Sequence, residues 1–206
     1  MDIVIGLCSS RFDLEFKKSI KGINKIIIPK NFNVQIVVID NNFLKDKKKY
    51  LKKFKVSRNF EIIYRIEKKR GIVHARNNFL KFIYNSKKKI DYIGFIDDDC
   101  VPKTNWLLEH LKTFNKFDCD ISTGPQLLKN NNNKNFEKKY QILNRKIVKR
   151  YAQVVWAATN NVLLKYKKFN KTKYIFDIFL NDIGGSDQLS FKKLHSDGFI
   201  IYWNKK

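Results

Sequence analysis

Cysteine is scarce in this chain of 206 residues. The three cysteines are Cys8, Cys100 and Cys119, an odd number whose wide spacing matches no metal-ligand motif. Such a set supports neither a disulfide framework nor a zinc site. We therefore expect a protein of a reducing compartment, either cytoplasmic or peripheral at the inner face of the membrane.

Long apolar runs are missing as well. No run approaches the roughly 20 residues that cross a bilayer. The N-terminus enters a strand-like run, Ile3–Leu7, without the basic-then-apolar pattern of a secretion signal. Internal repeats and a clean interdomain linker are also absent from the sequence. These features predict one domain with a single large core, either soluble or peripheral to a membrane.

Acidic residues are few, 19 against 43 basic ones, which gives a formal charge of +24. Most of the basic residues are lysine, and they are spread along the chain instead of forming one tract. Lys, Asn, Ile and Phe are all specified by A/T-rich codons, so genome composition is one source of this charge. The other source is attraction towards an anionic partner, such as a phosphorylated substrate or an acidic membrane surface. Nucleic acid is a less favoured partner, because no recognised nucleic-acid motif occurs and the aromatic residues fall in runs that need a core.

The first half of the chain alternates between short apolar runs and helical patterns. The predicted strands are Ile3–Leu7, Val34–Ile39, Phe60–Ile66 and Tyr92–Ile96, and the predicted helices are Arg11–Ile28, Lys45–Phe54 and Gly71–Asn85. Alternation of this kind predicts an α/β fold with right-handed crossovers and a mainly parallel central sheet.

The second half has a less regular pattern. It predicts a helix at Asn105–Asn115, a strand at Ile121–Gly124, an exposed loop at Asn130–Asn133, a basic amphipathic helix at Phe136–Tyr151, a strand pair or hairpin at Val154–Leu164, a helix at Ser186–Ser196 and a last strand at Phe199–Trp203.

The segment Tyr92–Asp99 is an apolar run that stops on three consecutive carboxylates, Asp97, Asp98 and Asp99. In open α/β sheets, ligands bind at the carboxyl ends of the strands. Carboxylate oxygens suit Mg²⁺ or Mn²⁺, which often bind through one or two carboxylates together with substrate phosphates. An acidic turn that only precedes a helix capped by Thr104 is the alternative interpretation.

Five segments, taken in order, resemble the family 2 nucleotide-sugar glycosyltransferases. They are Ile3–Arg11, Val37–Asn42, Gly71–Asn77, Phe95–Asp99 and Gly184–Asp187. The resemblance covers almost the whole chain and implies a GT-A fold, which is a Rossmann-like, mainly parallel sheet flanked by helices, with a small C-terminal acceptor subregion. It implies that residues 1–99 form the half that binds the nucleotide sugar. Residues 100–206 would then form the half that binds the acceptor and supplies the catalytic base.

The donor-binding residues implied by the resemblance are Ser9, Arg11, Asp40, Gly71, Arg76, Asp97 and Asp98. Asp40 would accept the imide N–H of uracil, although an Asp-Asn-Asn turn is the alternative interpretation. Gly71 would begin a helix whose N–H groups and dipole suit an anion. Arg76 would reach the diphosphate, although in isolation it would be an ordinary surface arginine.

The resemblance also implies a divalent cation and a catalytic base. Asp99 and Asp97 would hold Mn²⁺ or Mg²⁺, since departure of a nucleoside diphosphate builds negative charge that a cation stabilises. Asp187 would take the proton of the acceptor hydroxyl in an inverting single displacement. The alternative for Asp187 is a plain helix cap.

Acceptor contacts are expected from Trp156, Thr159, Asn160 and Ser186, with a glycan or lipid-linked saccharide as the acceptor. A tryptophan in a small domain is also a common core residue. Ser186 departs from the family, which often has Glu there, and family members usually continue beyond the strand that matches Phe199–Trp203. An inactive or truncated transferase fold, or a basic nucleic-acid-binding domain, is therefore the alternative function.

Overall fold

The computed structural model describes residues 1–54, 60–126 and 151–204. The predicted loop at Asn130–Asn133 lies outside the described residues, as does the predicted helix at Phe136–Tyr151 except for its last residue.

The first half forms the predicted alternation of strands and helices. Its elements are β1 (Asp2–Ser9), α1 (Leu14–Ile23), β2 (Asn33–Asp40), α2 (Lys45–Leu51), β3 (Phe60–Ile66), α3 (Ile72–Tyr84) and β4 (Tyr92–Phe95). Neighbouring strands in the order β3-β2-β1-β4 are all parallel. Their carboxyl ends therefore meet at one edge of the sheet, where the predicted donor-binding residues lie.

The second half completes the sheet. Its elements are α4 (Trp106–Lys116), β5 (Ile121–Thr123), β6 (Ala152–Val154), β7 (Val162–Lys165), α5 (Tyr166–Thr172), a 3₁₀ helix (Ile178–Leu180), α6 (Ser186–Ser196) and β8 (Ile201–Trp203). The order across the described strands is β3-β2-β1-β4-β7-β5-β8-β6, with β7 antiparallel to both of its neighbours. Mixed α/β architecture with a mostly parallel central sheet is confirmed.

The predicted hairpin at Val154–Leu164 is wrong. β7 pairs with β4 and β5, whereas β6 pairs with β8 at the sheet edge. Between them, Ala157, Ala158 and Thr159 are buried, and the turn that the Asn161 N–H closes on the Ala158 carbonyl (3.3 Å) does not join paired strands. Long-range pairing and burial of the connecting residues therefore override the local pattern.

The core lies on both faces of the sheet. On one face α3 packs through Phe79 and Leu80, and on the other α1 packs through Phe16 and Ile20. Asp13 begins α1, because its side chain accepts a hydrogen bond from the Phe16 N–H (2.9 Å). Within the described ranges no helix is long and apolar enough to cross a membrane.

A buried polar network around His110 joins α4 to the second half of the sheet. The Trp106 indole N–H donates to Asn161 Oδ1 (2.8 Å), which makes that oxygen an acceptor. His110 Nε2 lies 3.0 Å from the same oxygen, so it must carry the proton. Nδ1 then accepts from the Ser122 hydroxyl (2.8 Å). Burial lowers the pKa of His110 to about 4, so the ring is neutral at pH 7.

We expect this histidine to make the fold sensitive to acid. Because its pKa falls from 6.5 to about 4 on folding, the unfolded chain binds more protons between these pH values. Its contribution is therefore complete above pH 6.5 and is lost as the pH falls, by about 3 kcal/mol in all. The free energy of unfolding, measured by urea denaturation of the wild type and of His110→Gln, should differ less at pH 4 than at pH 7. Parallel pH profiles would contradict this prediction.

Candidate active site

Four carboxylates gather at the carboxyl edge of the parallel strands. Asp97, Asp98 and Asp99 follow β4, and Asp187 lies in the first turn of α6. The pKa of Asp97 is raised to about 6, mainly by burial and to a smaller extent by the charges of Asp99, Asp187 and Asp98, while Arg76 acts in the opposite direction. The structure therefore brings the predicted catalytic base close to the acidic motif. Several carboxylates at one edge of the sheet offer oxygen ligands for a divalent cation.

Arg11 faces this cluster from the loop after β1. Its Nε lies 3.3 Å from Asp98 Oδ2, and its Nη2 lies 3.9 Å from Asp99 Oδ2. Burial raises the pKa of Asp98, while a hydrogen bond from Ser9 and the charge of Arg11 act in the opposite direction. The predicted donor residues Ser9 and Arg11 thus lie together with the acidic motif.

Arg76 is buried at the centre of the site. Its Nη1 donates to Ser186 Oγ (2.8 Å) and its Nη2 donates to Thr159 Oγ1 (2.6 Å). Nη2 also lies 3.9 Å from Asp97 Oδ1. The guanidinium therefore connects α3 with the start of α6 and with the acidic motif, a bridging position that the sequence did not reveal.

Asp40 lies at the end of β2, as predicted, but its carboxylate is enclosed by the protein. Its carboxylate has no exposed surface and pairs with Lys47 Nζ at 2.7 Å. It also accepts hydrogen bonds from the N–H groups of Asn42 and Leu44 and from the Tyr64 hydroxyl. The structure therefore does not support the prediction that Asp40 binds uracil, because both oxygens of this carboxylate already bind groups of the protein.

Lys47 is a residue of this edge that the sequence analysis missed. Its ammonium group contacts Asp40, the Ser9 carbonyl (3.1 Å) and the Ser9 hydroxyl (3.4 Å). The sequence contains one signal of its burial: Lys47 lies four residues before Leu51, so both side chains lie on the same, inner face of α2. Lys47 ties the ends of β1 and β2 together.

Gly71 also differs in detail from the expectation. It has the positive φ of +122°, which favours glycine, and it precedes α3. Its N–H donates to Asn41 Oδ1 (2.7 Å), and the Val73 N–H donates to Asn181 Oδ1 (3.3 Å). Two N–H groups at this helix start are therefore already satisfied by asparagine side chains, and Gly71 shapes the turn without offering its own N–H to an anion.

The predicted acceptor residues lie in two settings. Thr159 and Ser186 are buried and both accept from Arg76. Trp156 is half-buried and packs against the core, while Asn160 accepts a hydrogen bond from Gln126. Only Thr159 and Ser186 among the four are joined to Arg76 by these hydrogen bonds.

The donor set suits a cation that is shared with substrate. In the described part of the chain, no group of three or more His, Cys, Asp or Glu residues could hold a metal ion alone. Mg²⁺ and Mn²⁺ commonly use one or two carboxylates and complete their coordination with water and substrate phosphate. The oxygen ligands of Asp97 and Asp99 fit a site of that kind.

The sequence itself decides the family. Residues 15–183 match the profile of the family described as Glycosyl transferase family 2. The chain belongs to this family. The comparison with curated proteins found no match.

The chain is similar in structure to solved transferases of the GT-A type. TarS 1-349 of S. aureus superposes with a TM-score of 0.68 at 14% identity, covering 99% of this chain and 60% of that chain. The mannosyltransferase PcManGT of Pyrobaculum calidifontis, in complex with GDP-Man and Mn²⁺, gives a TM-score of 0.68 at 13% identity, covering 97% and 53%. GalNAc-T7 with UDP, GalNAc and Mn²⁺ gives 0.67 at 14% identity, covering 98% and 42%. This family 2 chain therefore has the GT-A fold and spans 42% to 60% of the length of these three structures.

Proposed function

We propose that this family 2 chain transfers a sugar from a nucleotide diphosphate to a hydroxyl of a glycan or lipid-linked saccharide. The observation that carries the proposal is that Arg76 joins the acidic motif to the start of α6: its Nη2 lies 3.9 Å from Asp97 Oδ1, and its Nη1 donates to Ser186 Oγ (2.8 Å), the residue directly before Asp187. A transferase of this type needs a base on the acceptor side and charge stabilisation on the donor side of one cleft.

The donor we propose is a UDP-sugar held by Ser9, Arg11, Arg76, Asp97 and Asp98. Support comes from their joint position at the strand ends and from TarS, which has been crystallised with UDP and with UDP-GlcNAc. Recognition of the uracil ring would not use the Asp40 carboxylate in this arrangement, since Lys47 and Tyr64 already bind that carboxylate.

Asp97 and Asp99 would hold Mn²⁺ or Mg²⁺, and two of the similar structures contain Mn²⁺. When bound, the cation supplies charge stabilisation for the departing nucleoside diphosphate. Arg11 lies against Asp98 and Asp99 and adds positive charge on the donor side.

Asp187 would act as the base. One of its oxygens accepts the Gln188 N–H (2.9 Å), and it lies in the first turn of α6, where the helix dipole favours an acidic side chain. In the proposed inverting displacement it takes the acceptor proton while the acceptor oxygen bonds to the anomeric carbon. The bond from that carbon to the diphosphate oxygen breaks at the same time, and the electron pair leaves with the diphosphate. Because all three cysteines are free thiols, we place this reaction in the cytoplasm.

Asp99→Asn tests the donor site. The melting temperature of the wild type should rise with UDP only when Mn²⁺ is present, and a ligand at about 100 times its dissociation constant adds roughly 2.7 kcal/mol of stability. The rise should vanish in Asp99→Asn because a cation ligand is lost. It should persist in the control Asp118→Asn, since that side chain is fully exposed and pairs with the Lys165 ammonium group at 3.6 Å. A wild type that shows no rise with UDP, GDP or dTDP would contradict the proposed function.

A further inference from the structure

An apolar surface lies next to the candidate base. Ile175, Ile178, Phe179 and Ile183 are all exposed, and Phe179 (81%) and Ile183 (80%) are the most exposed large apolar side chains of the described residues. Single exposed apolar residues are common, but a concentration of them marks an interaction site. We call Ile175–Ile183 the apolar knuckle.

Hydrogen bonds hold the knuckle in a fixed shape. Asp177 caps its 3₁₀ turn by accepting the Phe179 N–H (3.0 Å), and the Gly184 N–H closes the turn on the Leu180 carbonyl (3.1 Å). Asn181 points inward and accepts the Val73 N–H at the start of α3. The exposed apolar side chains therefore project from an ordered element that is anchored to the body of the fold.

Positive charge borders the knuckle. Lys68, Lys69 and Arg70 are exposed, and the Arg70 carbonyl accepts from Asn181 Nδ2 at 3.5 Å, so this basic triplet lies against the knuckle. Lys171 and Lys173 precede it in the chain and are exposed as well. The basic triplet thus borders a knuckle that contains two carboxylates, Asp177 and Asp182, and two further exposed lysines lie just before it in the sequence.

We propose that the knuckle and the basic triplet form a surface that docks on an anionic phospholipid bilayer. Apolar side chains that enter the headgroup boundary, with lysine and arginine around them, are the combination that binds such membranes. A second copy of this chain is disfavoured because each copy carries a formal charge of +24.

Docking in this way would orient the active site. Gly184 and Gly185 connect the knuckle directly to Ser186 and Asp187. The cleft with the candidate base would then face the lipid surface, which suits a lipid-linked acceptor. This last point rests on the proposed function, whereas docking itself does not.

Vesicle co-sedimentation without nucleotide tests the surface. The full chain should bind phosphatidylcholine–phosphatidylglycerol vesicles and should not bind vesicles of phosphatidylcholine alone. Replacing Phe179 and Ile183 together by Ser should weaken partitioning at least about tenfold. The matched control replaces Leu14 and Ile27 by Ser, which are also exposed apolar residues but lie elsewhere, and it should bind like the wild type.

Two double variants distinguish the effect of the basic triplet on vesicle binding from the effect of the protein's total charge. Lys68→Glu/Lys69→Glu should reduce binding strongly, whereas Lys52→Glu/Lys53→Glu makes the same change in net charge at another exposed site and should reduce it much less. Equal losses in the two pairs, absence of wild-type binding, or self-association that Phe179→Ser abolishes would each overturn the docking surface.

Nucleotide response should be recorded for every variant. A rise in melting temperature with UDP and Mn²⁺, without vesicle binding, would overturn the docking surface alone. Vesicle binding that depends on the knuckle, without any nucleotide response, would overturn the proposed transferase function alone.

Discussion

Asp187→Asn is expected to lower kcat by roughly 100- to 10,000-fold, the range that a general base contributes. Asparagine cannot take the acceptor proton, but its side-chain oxygen can still accept the Gln188 N–H that Asp187 accepts now. The start of α6 should therefore keep its structure. Single-turnover kinetics with donor and acceptor would measure the loss.

A measurement of donor binding should show whether Asp187 acts as a catalytic base or as a residue that binds the sugar donor. The dissociation constant of UDP with Mn²⁺ should stay within about threefold in Asp187→Asn, because the group lost acts only in the transition state. Asp197→Asn is the control, since Asp197 is exposed at the opposite end of the same helix. A variant that loses donor binding but turns over bound donor normally would show that Asp187 has another role.

The first half of the fold could be predicted because its local and tertiary preferences agree. β2 is buried along nearly its whole length, so it is a continuous apolar run in the sequence, as expected for a central parallel strand. α3 buries Val73, Phe79 and Ile83 on one face, at helical spacing.

The second half departs from prediction where long-range contacts decide. β6 consists of only Ala152–Val154 and pairs with β8 near the end of the chain, which no local pattern indicates. α5 escaped prediction because Phe169 is its one buried residue among lysines and other polar side chains. Short elements with little apolar surface leave weak signals.

In the candidate site, too, some features follow from the sequence and others depend on long-range contacts. The acidic motif follows a strongly apolar strand, so its place at the sheet edge follows from the sequence. The hydrogen-bond partners of buried polar side chains do not follow from the sequence, because they depend on which loops lie next to one another in the fold. Lys47 is one of three consecutive lysines, and it alone among them is buried, for which its helical spacing from Leu51 is a weak signal. Asp40 was predicted to bind the nucleotide because the sequence does not show that Lys47 and Tyr64 bind its carboxylate in the folded chain.

Lys47→Met should destabilise the protein by about 3 to 5 kcal/mol, the range measured when one member of a buried ion pair is removed. Neither Lys47 nor Asp40 has exposed surface, so water cannot replace the lost ammonium group. Burial lowers the pKa of Lys47, while its hydrogen bond to Asp40 acts in the opposite direction. The free energy of unfolding from urea denaturation at pH 7 would measure the effect.

Two further variants distinguish loss of the ion pair from loss of packing. Lys48→Met, at the exposed neighbouring position, should change the stability by less than about 0.5 kcal/mol. In a double-mutant cycle, Lys47→Met and Asp40→Asn together should cost less than the sum of the two single changes, by about 1 to 3 kcal/mol. Additive effects would mean that Lys47 acts only as a buried aliphatic chain. Coupled effects would mean that the charge on Asp40 is retained to hold Lys47 against the Ser9 carbonyl, and so to fix the end of β1 beside the acidic motif.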